Sequence, residues 1–181
     1  QEHIDEGGGT PINKTRAVPK LFLKPSSTIL APGAPLELPS ISRTVDWELE
    51  LAVIIGRPVK DVTEGDALQA VAGYSIINDV SARTVEWGVE RDAPESSWFF
   101  DWLNGKWPDG FAPMGPWLVT PDEVGDPQGL HMELTVNGKV WQRASTGDMI
   151  FGVAETIAFA SRFMTLEPGD VIATGTPSGT G

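Results

Sequence analysis

The segment Asp46-Trp47-Glu48-Leu49-Glu50-Leu51-Ala52-Val53-Ile54-Ile55-Gly56 alternates with a period of two. Successive side chains of an extended strand point to opposite faces. Leu49, Leu51, Val53 and Ile55 therefore share one apolar face. Asp46, Glu48, Glu50, Ala52 and Ile54 share the other, which starts acidic and ends apolar. Same-face neighbours stand roughly 7 Å apart, so ionised carboxylates there repel unless something neutralises them. Two readings satisfy this pattern. Either the acidic side faces water, or a divalent cation, a hard ion that takes oxygen ligands, sits against it. This stretch alone does not decide between them.

The rest of the chain narrows the classes. Its 181 residues are enough for one sizeable core, so one domain is expected. The 20 glycines and 15 prolines favour short strands and many turns over long helices. A formal net charge of −12 argues against nucleic acid and anionic membrane as partners. An anionic substrate would then need a metal or local cations to hold it. The chain has no cysteine, which excludes disulfides, thiolate chemistry and Cys-ligated zinc and fits a cytoplasmic protein. No apolar run approaches the 18 or so residues of a membrane span. The first residue is Gln1, and the last strand-like run ends in the glycine-rich loop Gly175-Thr176-Pro177-Ser178-Gly179-Thr180-Gly181. Both ends read as parts of a longer protein.

Residues 1–18 are polar, contain Gly7-Gly8-Gly9 and show no periodicity, which suggests a flexible arm or lid. One helical turn would put His3 and Glu6 on a common face. From composition alone, a tail with an idle histidine is the better reading. Leu21-Phe22-Leu23-Lys24-Pro25 reads as a short strand. Thr63-Glu64-Gly65-Asp66 has the outline of a capping box before a helix that carries Ala67, Leu68, Val71 and Ala72, with Gly73 as its C-cap. Tyr74-Ser75-Ile76-Ile77 is a buried-type strand that runs into Asn78-Asp79. A carboxylate there needs a partner, either Arg83 or a metal.

Residues 84–117 are rich in aromatics and show no clean period. They read as a loop packed on the body or as the wall of a pocket. Lys106 lies among these tryptophans, either as an amphipathic side chain with its head in water or as an anion-binding group. Asn137-Gly138 between Leu130–Val136 and Lys139–Arg143 signals a hairpin. Ile150, Val153, Ile157, Ala160 and Met164 recur at helical spacing, and Asp170–Thr174 is the final strand. Strand and helix do not alternate regularly, so a doubly wound sheet is not expected. The terminal glycine loop lacks the Lys-Ser/Thr pair of a P-loop. Its N–H groups and the Thr176 and Thr180 hydroxyls could hold a carboxylate.

Several segments, in order from about residue 3 to residue 181, resemble the fumarylacetoacetate hydrolase family. They include Leu21–Ser27, Asp46–Gly56, Gly73–Arg83, Pro113–Trp117, Val136–Gly138, Asp148–Phe151 and Pro168–Pro177. The resemblance implies a mainly β fold with a few helices, a mixed β-sandwich roll. It also implies a lid over residues 1–18, a catalytic domain over 19–181 that continues past both ends, and a homodimer. A divalent cation, Mg²⁺ or Mn²⁺, would be held by Glu48, Glu50 and Asp79. His3 and Glu6 match the family's His-x-x-Glu pair, which reverses the reading of the arm from composition. Lys106 matches the family's lysine, Arg83 its arginine and Thr176 the threonine of its Thr-Gly-Thr-Pro loop. Asp46 matches no ligand and reads as second-layer or solvated. Glu86 stands where some members carry Gln, and the segment Trp98–Trp107 is bulkier than the common pattern.

The implied chemistry is hydrolysis of a C–C bond in a small anionic 2,4-dioxo acid, an acylpyruvate, giving pyruvate or a related 2-oxo acid and a carboxylic acid. His3, oriented by Glu6, would take a proton from water, which its ordinary pKa allows at neutral pH. Lys106 and Arg83 would neutralise substrate oxygens, and Thr176 would orient the carboxylate. The same residues would serve decarboxylation of oxaloacetate or isomerisation and hydration of a 2-oxo-enoic acid. A non-catalytic cation-binding protein is the remaining alternative.

Overall fold

The computed structural model describes residues 12–180. Among them, nine strands and four helices follow in the order β1 (Ile29–Leu30), β2 (Val45–Asp46), β3 (Leu49–Ile55), α1 (Glu64–Ala67), β4 (Val71–Asn78), β5 (Ser81–Ala82), α2 (Ser97–Asn104), β6 (Ala112–Pro113), α3 (Pro121–Val124), β7 (His131–Val136), β8 (Lys139–Ser145), α4 (Val153–Ser161) and β9 (Val171–Ala173). The fold is mainly β with a few short helices, as expected. None of the helices is long and apolar enough to cross a membrane.

β3 is the middle of a three-stranded antiparallel sheet, β4-β3-β9. Its period-two pattern holds, but both faces are buried. Leu49, Leu51, Val53 and Ile55 enter the main core with Tyr74, Val153, Ile157 and Leu166. Ala52 and Ile54, on the other side, meet Ile77, Ala112, Met114, Val171 and Ala173. The wet-face reading is therefore wrong. The strand is also shorter than expected. It breaks from β2 at Trp47-Glu48, where the Glu48 amide donates to the Asn78 side-chain oxygen (2.8 Å) instead of a ladder carbonyl.

Four further expectations are corrected. Leu21–Pro25 forms no strand, because its groups are committed to side chains. The Leu23 carbonyl accepts from the Trp107 indole (3.1 Å), and Phe22 packs edge-on against Trp102 (4.7 Å). The helix at Glu64 is only one turn and has no side-chain-to-backbone cap; the Thr63 hydroxyl donates to the Asp66 carboxylate instead. Gly73 is no C-cap but lies inside β4. A Cβ there would stand 2.7 Å from both Leu118 Cδ1 and the Val119 carbonyl oxygen, so glycine lets the 117–119 segment press against β4. The aromatic segment, expected to be irregular, contains α2.

β7 and β8 form the expected hairpin, with Asn137 and Gly138 both at positive φ (52° and 77°), as a two-residue turn of this hand requires. Its register shifts between Leu134 and Thr135, leaving Trp141 as an extra residue on β8. Such a bulge re-aims the side chains beside it. Here it turns Gln142 inward while Trp141 packs on Trp47 (5.2 Å between rings).

Candidate metal centre

The break before β3 brings Glu48 to the end of the sheet beside Asp79, which follows β4. The Asp79 amide donates to the Glu48 carbonyl (2.9 Å) and clamps the two backbones. Glu50, two residues on, points the same way. Glu48, Glu50 and Asp79 are all buried, and each offers an oxygen within 4.8 Å of the others. A buried carboxylate cluster of this kind is costly unless cations meet it.

Two lysines do. Lys106, only 1% exposed, contacts Asp79 Oδ2 at 2.7 Å and Glu48 Oε2 at 2.9 Å. Its ammonium also lies over the rings of Phe22 and Trp102, at 5.4 and 5.7 Å. The reading of Lys106 with its head in water is therefore excluded. Lys24 holds the other Asp79 oxygen, Oδ1, at 2.5 Å, and donates to the carbonyls of Phe111 (2.7 Å) and Val80 (3.5 Å). Burial pushes the Lys24 ammonium below its ordinary pKa, against the pull of Asp79. So the partners of Asp79 are Lys24 and Lys106, not Arg83 as one reading of the sequence had it.

Arg83 takes a different place. Its Nε and Nη2 donate to Asp46 Oδ2 (2.9 and 2.7 Å), and its Nη1 meets Glu48 Oε1 at 2.9 Å. The Ser81 hydroxyl donates to the same Glu48 oxygen (2.9 Å). Asp46 is 6% exposed, so the solvated half of its expected description is corrected. It is the buried anchor that holds Arg83 against Glu48. Glu86, the departure from the family pattern, is exposed and pairs with Arg43 at 3.1 Å.

Glu50 differs from its neighbours. Among the described residues, no lysine or arginine forms an ion pair with it, and the Gly175 amide donates to its Oε2 at 2.7 Å. Burial, reinforced by the charges of Asp79 and Glu48, pushes its pKa up to about 8. A buried carboxyl short of positive charge, beside two others, is the donor chemistry a hard divalent cation satisfies. A divalent cation fits these residues, and Glu48, Glu50 and Asp79 would hold it.

Glu50 has a folded pKa of about 8 against an ordinary 4.5. Its contribution to metal-free stability is complete below the ordinary value and is lost as pH rises through 8. A cation needs the ionised form. The rise in Tm on adding Mn²⁺ is therefore expected to be larger at pH 8 than at pH 6, and a thermal-shift titration at both pH values checks this.

Lys106 is delivered by α2. Gly105 closes that helix, and its carbonyl accepts from the Ala82 amide (2.9 Å). A Cβ on Gly105 would lie 2.2 Å from the Ala82 carbonyl oxygen. Only glycine lets the helix end meet β5 this closely. Gly105→Ala is expected to cost about 2–3 kcal/mol and to lower turnover by shifting Lys106, read from denaturant melts and a turnover assay.

Thr176 follows the Gly175 amide that grips Glu50, and its Oγ1 accepts from Gln142 Nε2 at 2.8 Å. His3 and Glu6 lie outside the described residues, as does most of the 1–18 arm. Lys24, Ser81 and Gln142 are site residues that sequence reasoning missed; Asp46 and Arg83 were named, but not their pairing. For Lys24 a signal existed, a lysine set directly after the apolar run Leu21–Leu23.

The family model for the fumarylacetoacetate (FAA) hydrolase C-terminal domain matches residues 1–181. A protein of Burkholderia multivorans, whose name assigns no substrate, is 48% identical over 180 residues, 99% of this chain. The chain spans 59% of the length of that curated relative. Among solved structures, 2-hydroxyhepta-2,4-diene-1,7-dioate isomerase from Mycobacterium marinum matches with a TM-score of 0.80 and 42% identity, over 92% of this chain and 61% of its own. Maleylpyruvate hydrolase from Sphingobium sp. SYK-6, in complex with manganese(II) ion and pyruvate, matches with a TM-score of 0.75 and 40% identity, over 88% of this chain and 55% of its own.

Proposed function

Because the chain belongs to the fumarylacetoacetate hydrolase family, we propose that the whole protein is a divalent-cation-dependent enzyme that hydrolyses a C–C bond in a 2,4-dioxo acid of the acylpyruvate type. The observation that carries this reading is the buried Glu48, Glu50 and Asp79 set with Lys106 seated inside it. The maleylpyruvate hydrolase with manganese and pyruvate supports the cation and the substrate class.

When bound, a divalent cation supplies Lewis-acid stabilisation for the oxyanion that develops as the C–C bond breaks. The chain's own residues supply the rest. An ammonium has three donors, and Lys106 places two on Glu48 and Asp79, leaving one for a substrate oxygen. Lys24 spends its donors on Asp79, Phe111 and Val80 and acts by fixing Asp79. Arg83 uses three of its five N–H donors on Asp46 and Glu48, so two remain for an anionic substrate. Thr176 would orient the substrate carboxylate. His3, oriented by Glu6, would take a proton from water as the water oxygen bonds to the distal carbonyl carbon. The electron pair of the broken C–C bond leaves on the 2-oxo-acid fragment and is then protonated. The products are a carboxylic acid and a 2-oxo acid.

The isomerase from Mycobacterium marinum, at slightly higher identity, favours a second reading, isomerisation of a 2-hydroxy-dienoic diacid through the same enolate chemistry. Assays of an acylpyruvate, a 2-hydroxy-dienedioate and oxaloacetate, with Mn²⁺ and after chelation, test both. The expected result is acylpyruvate turnover at least tenfold above the others and lost on chelation. Isomerisation alone would establish the second reading, oxaloacetate decarboxylation alone would overturn both, and tight Mn²⁺ binding without any turnover would leave the non-catalytic alternative.

A further inference from the structure

Gln142 is as buried as Lys106, at 1% exposure, yet it carries no charge and lies on a different element. Its amide has three hydrogen bonds. Its Oε1 accepts from the Leu49 amide at 2.8 Å. Its Nε2 donates to Thr176 Oγ1 at 2.8 Å and to the Pro177 carbonyl at 3.0 Å. The Leu49 amide can only donate and the Pro177 carbonyl can only accept, so the side chain cannot be reversed. Both Nε2 protons are therefore committed, one of them to the Thr176 oxygen.

A threonine hydroxyl has one proton. Because its oxygen already accepts from Gln142, that proton is free to be given elsewhere. Thr176 is thus held as a donor. On the far side of the same amide, Leu49 lies between Glu48 and Glu50. One side chain therefore spans from the strand that carries the metal ligands to the loop that carries Thr176.

The local fold is built to keep it there. The bulge at Trp141 turns Gln142 inward. Trp141 packs on Trp47, whose indole donates to the Gly179 carbonyl at 3.1 Å. Gly179 has φ +93°, and a Cβ there would lie 2.1 Å from the Trp141 carbonyl oxygen. The glycine loop is thus pressed onto the bulge, with Gln142 between loop and sheet.

We propose that Gln142 is a positioning residue that fixes the Thr176 hydroxyl as a hydrogen-bond donor to the carboxylate of a 2-oxo acid and sets its distance from the metal ligands. The inference rests on the reading of Thr176 as a substrate contact. A donor of fixed polarity favours a carboxylate oxygen over a group that must itself donate, so Gln142 acts on anion affinity rather than on cation affinity. Gln142→Glu reverses the polarity, because a carboxylate accepts the Thr176 proton and turns it away from the substrate.

The test uses the full-length Mn²⁺-loaded protein and oxalate as the probe, with isothermal titration for oxalate and electron paramagnetic resonance for free Mn²⁺. Gln142→Glu and Thr176→Val should each weaken oxalate by roughly tenfold or more, the worth of one hydrogen bond to a charged group. Mn²⁺ affinity should change by less than about threefold, Thr176→Ser should retain oxalate affinity, and the double variant should lose no more than either single one. Gln142→Met removes the same donor without adding charge and replaces Gln142→Glu if that variant does not fold. Unchanged oxalate affinity in Thr176→Val would overturn the substrate role of Thr176 and this inference with it. A loss in Thr176→Val that is absent from the Gln142 variants, or losses that add in the double variant, would overturn the role of Gln142 alone.

Discussion

Glu50→Gln is expected to raise the stability of the metal-free protein while removing its binding of divalent cations. The two effects share one cause. Glu50 is buried without an ion-pair partner among the described residues, and its pKa is pushed up to about 8. Keeping it ionised at pH 8 therefore costs stability, on the order of a few kcal/mol. A neutral amide of the same shape avoids that cost and can still accept from the Gly175 amide. It cannot supply the negative oxygen that a hard cation needs. Melting curves at pH 8 should show a higher Tm for Glu50→Gln without metal and no further rise when Mn²⁺ is added, with turnover reduced at least about a thousandfold. A lower metal-free Tm together with an intact Mn²⁺ response would remove Glu50 from the ligand set.

Lys106→Met should act in the opposite sense on stability. The lysine is the shared cation of Glu48 and Asp79 (2.9 and 2.7 Å) and is essentially inaccessible to water. Removing one member of a buried ionic cluster leaves the others uncompensated, which typically costs about 3–5 kcal/mol. Lys24 still faces Asp79 and Arg83 still faces Glu48, so the loss is expected toward the lower end of that range. Added Mn²⁺ should restore much of the lost Tm, because it replaces the missing positive charge. It should restore almost no turnover, because the spare Lys106 proton is gone. Denaturant unfolding with and without Mn²⁺, beside a turnover assay, separates these effects. Recovery of activity along with stability would make Lys106 a structural cation only.

What was legible in the sequence divides along physical lines. The period-two pattern placed Leu49, Leu51, Val53 and Ile55 on the core face, and Asn137-Gly138 gave the hairpin, because both signals are local. The wet-face alternative stayed open because a strand's own sequence does not show what covers its second face. That cover comes from Ala112, Met114 and Ala173, far along the chain. Helix α2 escaped because aromatic residues occupy both its exposed and its packed positions, so no apolar stripe stands out. Trp98 and Phe100 face outward, whereas Trp102 packs on Phe22. The family resemblance put Glu48, Glu50, Asp79 and Lys106 on one short list, and the fold brings these four together. Lys24 and Gln142 were missed because each acts through partners 55 and 93 residues distant.

The double burial of β3 has a consequence for how such a chain can diversify. Every position from Leu49 to Ile55 is spoken for on one side or the other, by core, by carboxylate partners or by ladder bonds. A substitution there disturbs stability or the charge cluster before it can retune what is recognised. New substrate preference has to be written outside this strand. The aromatic helix α2 offers exposed positions for it at Trp98 and Phe100.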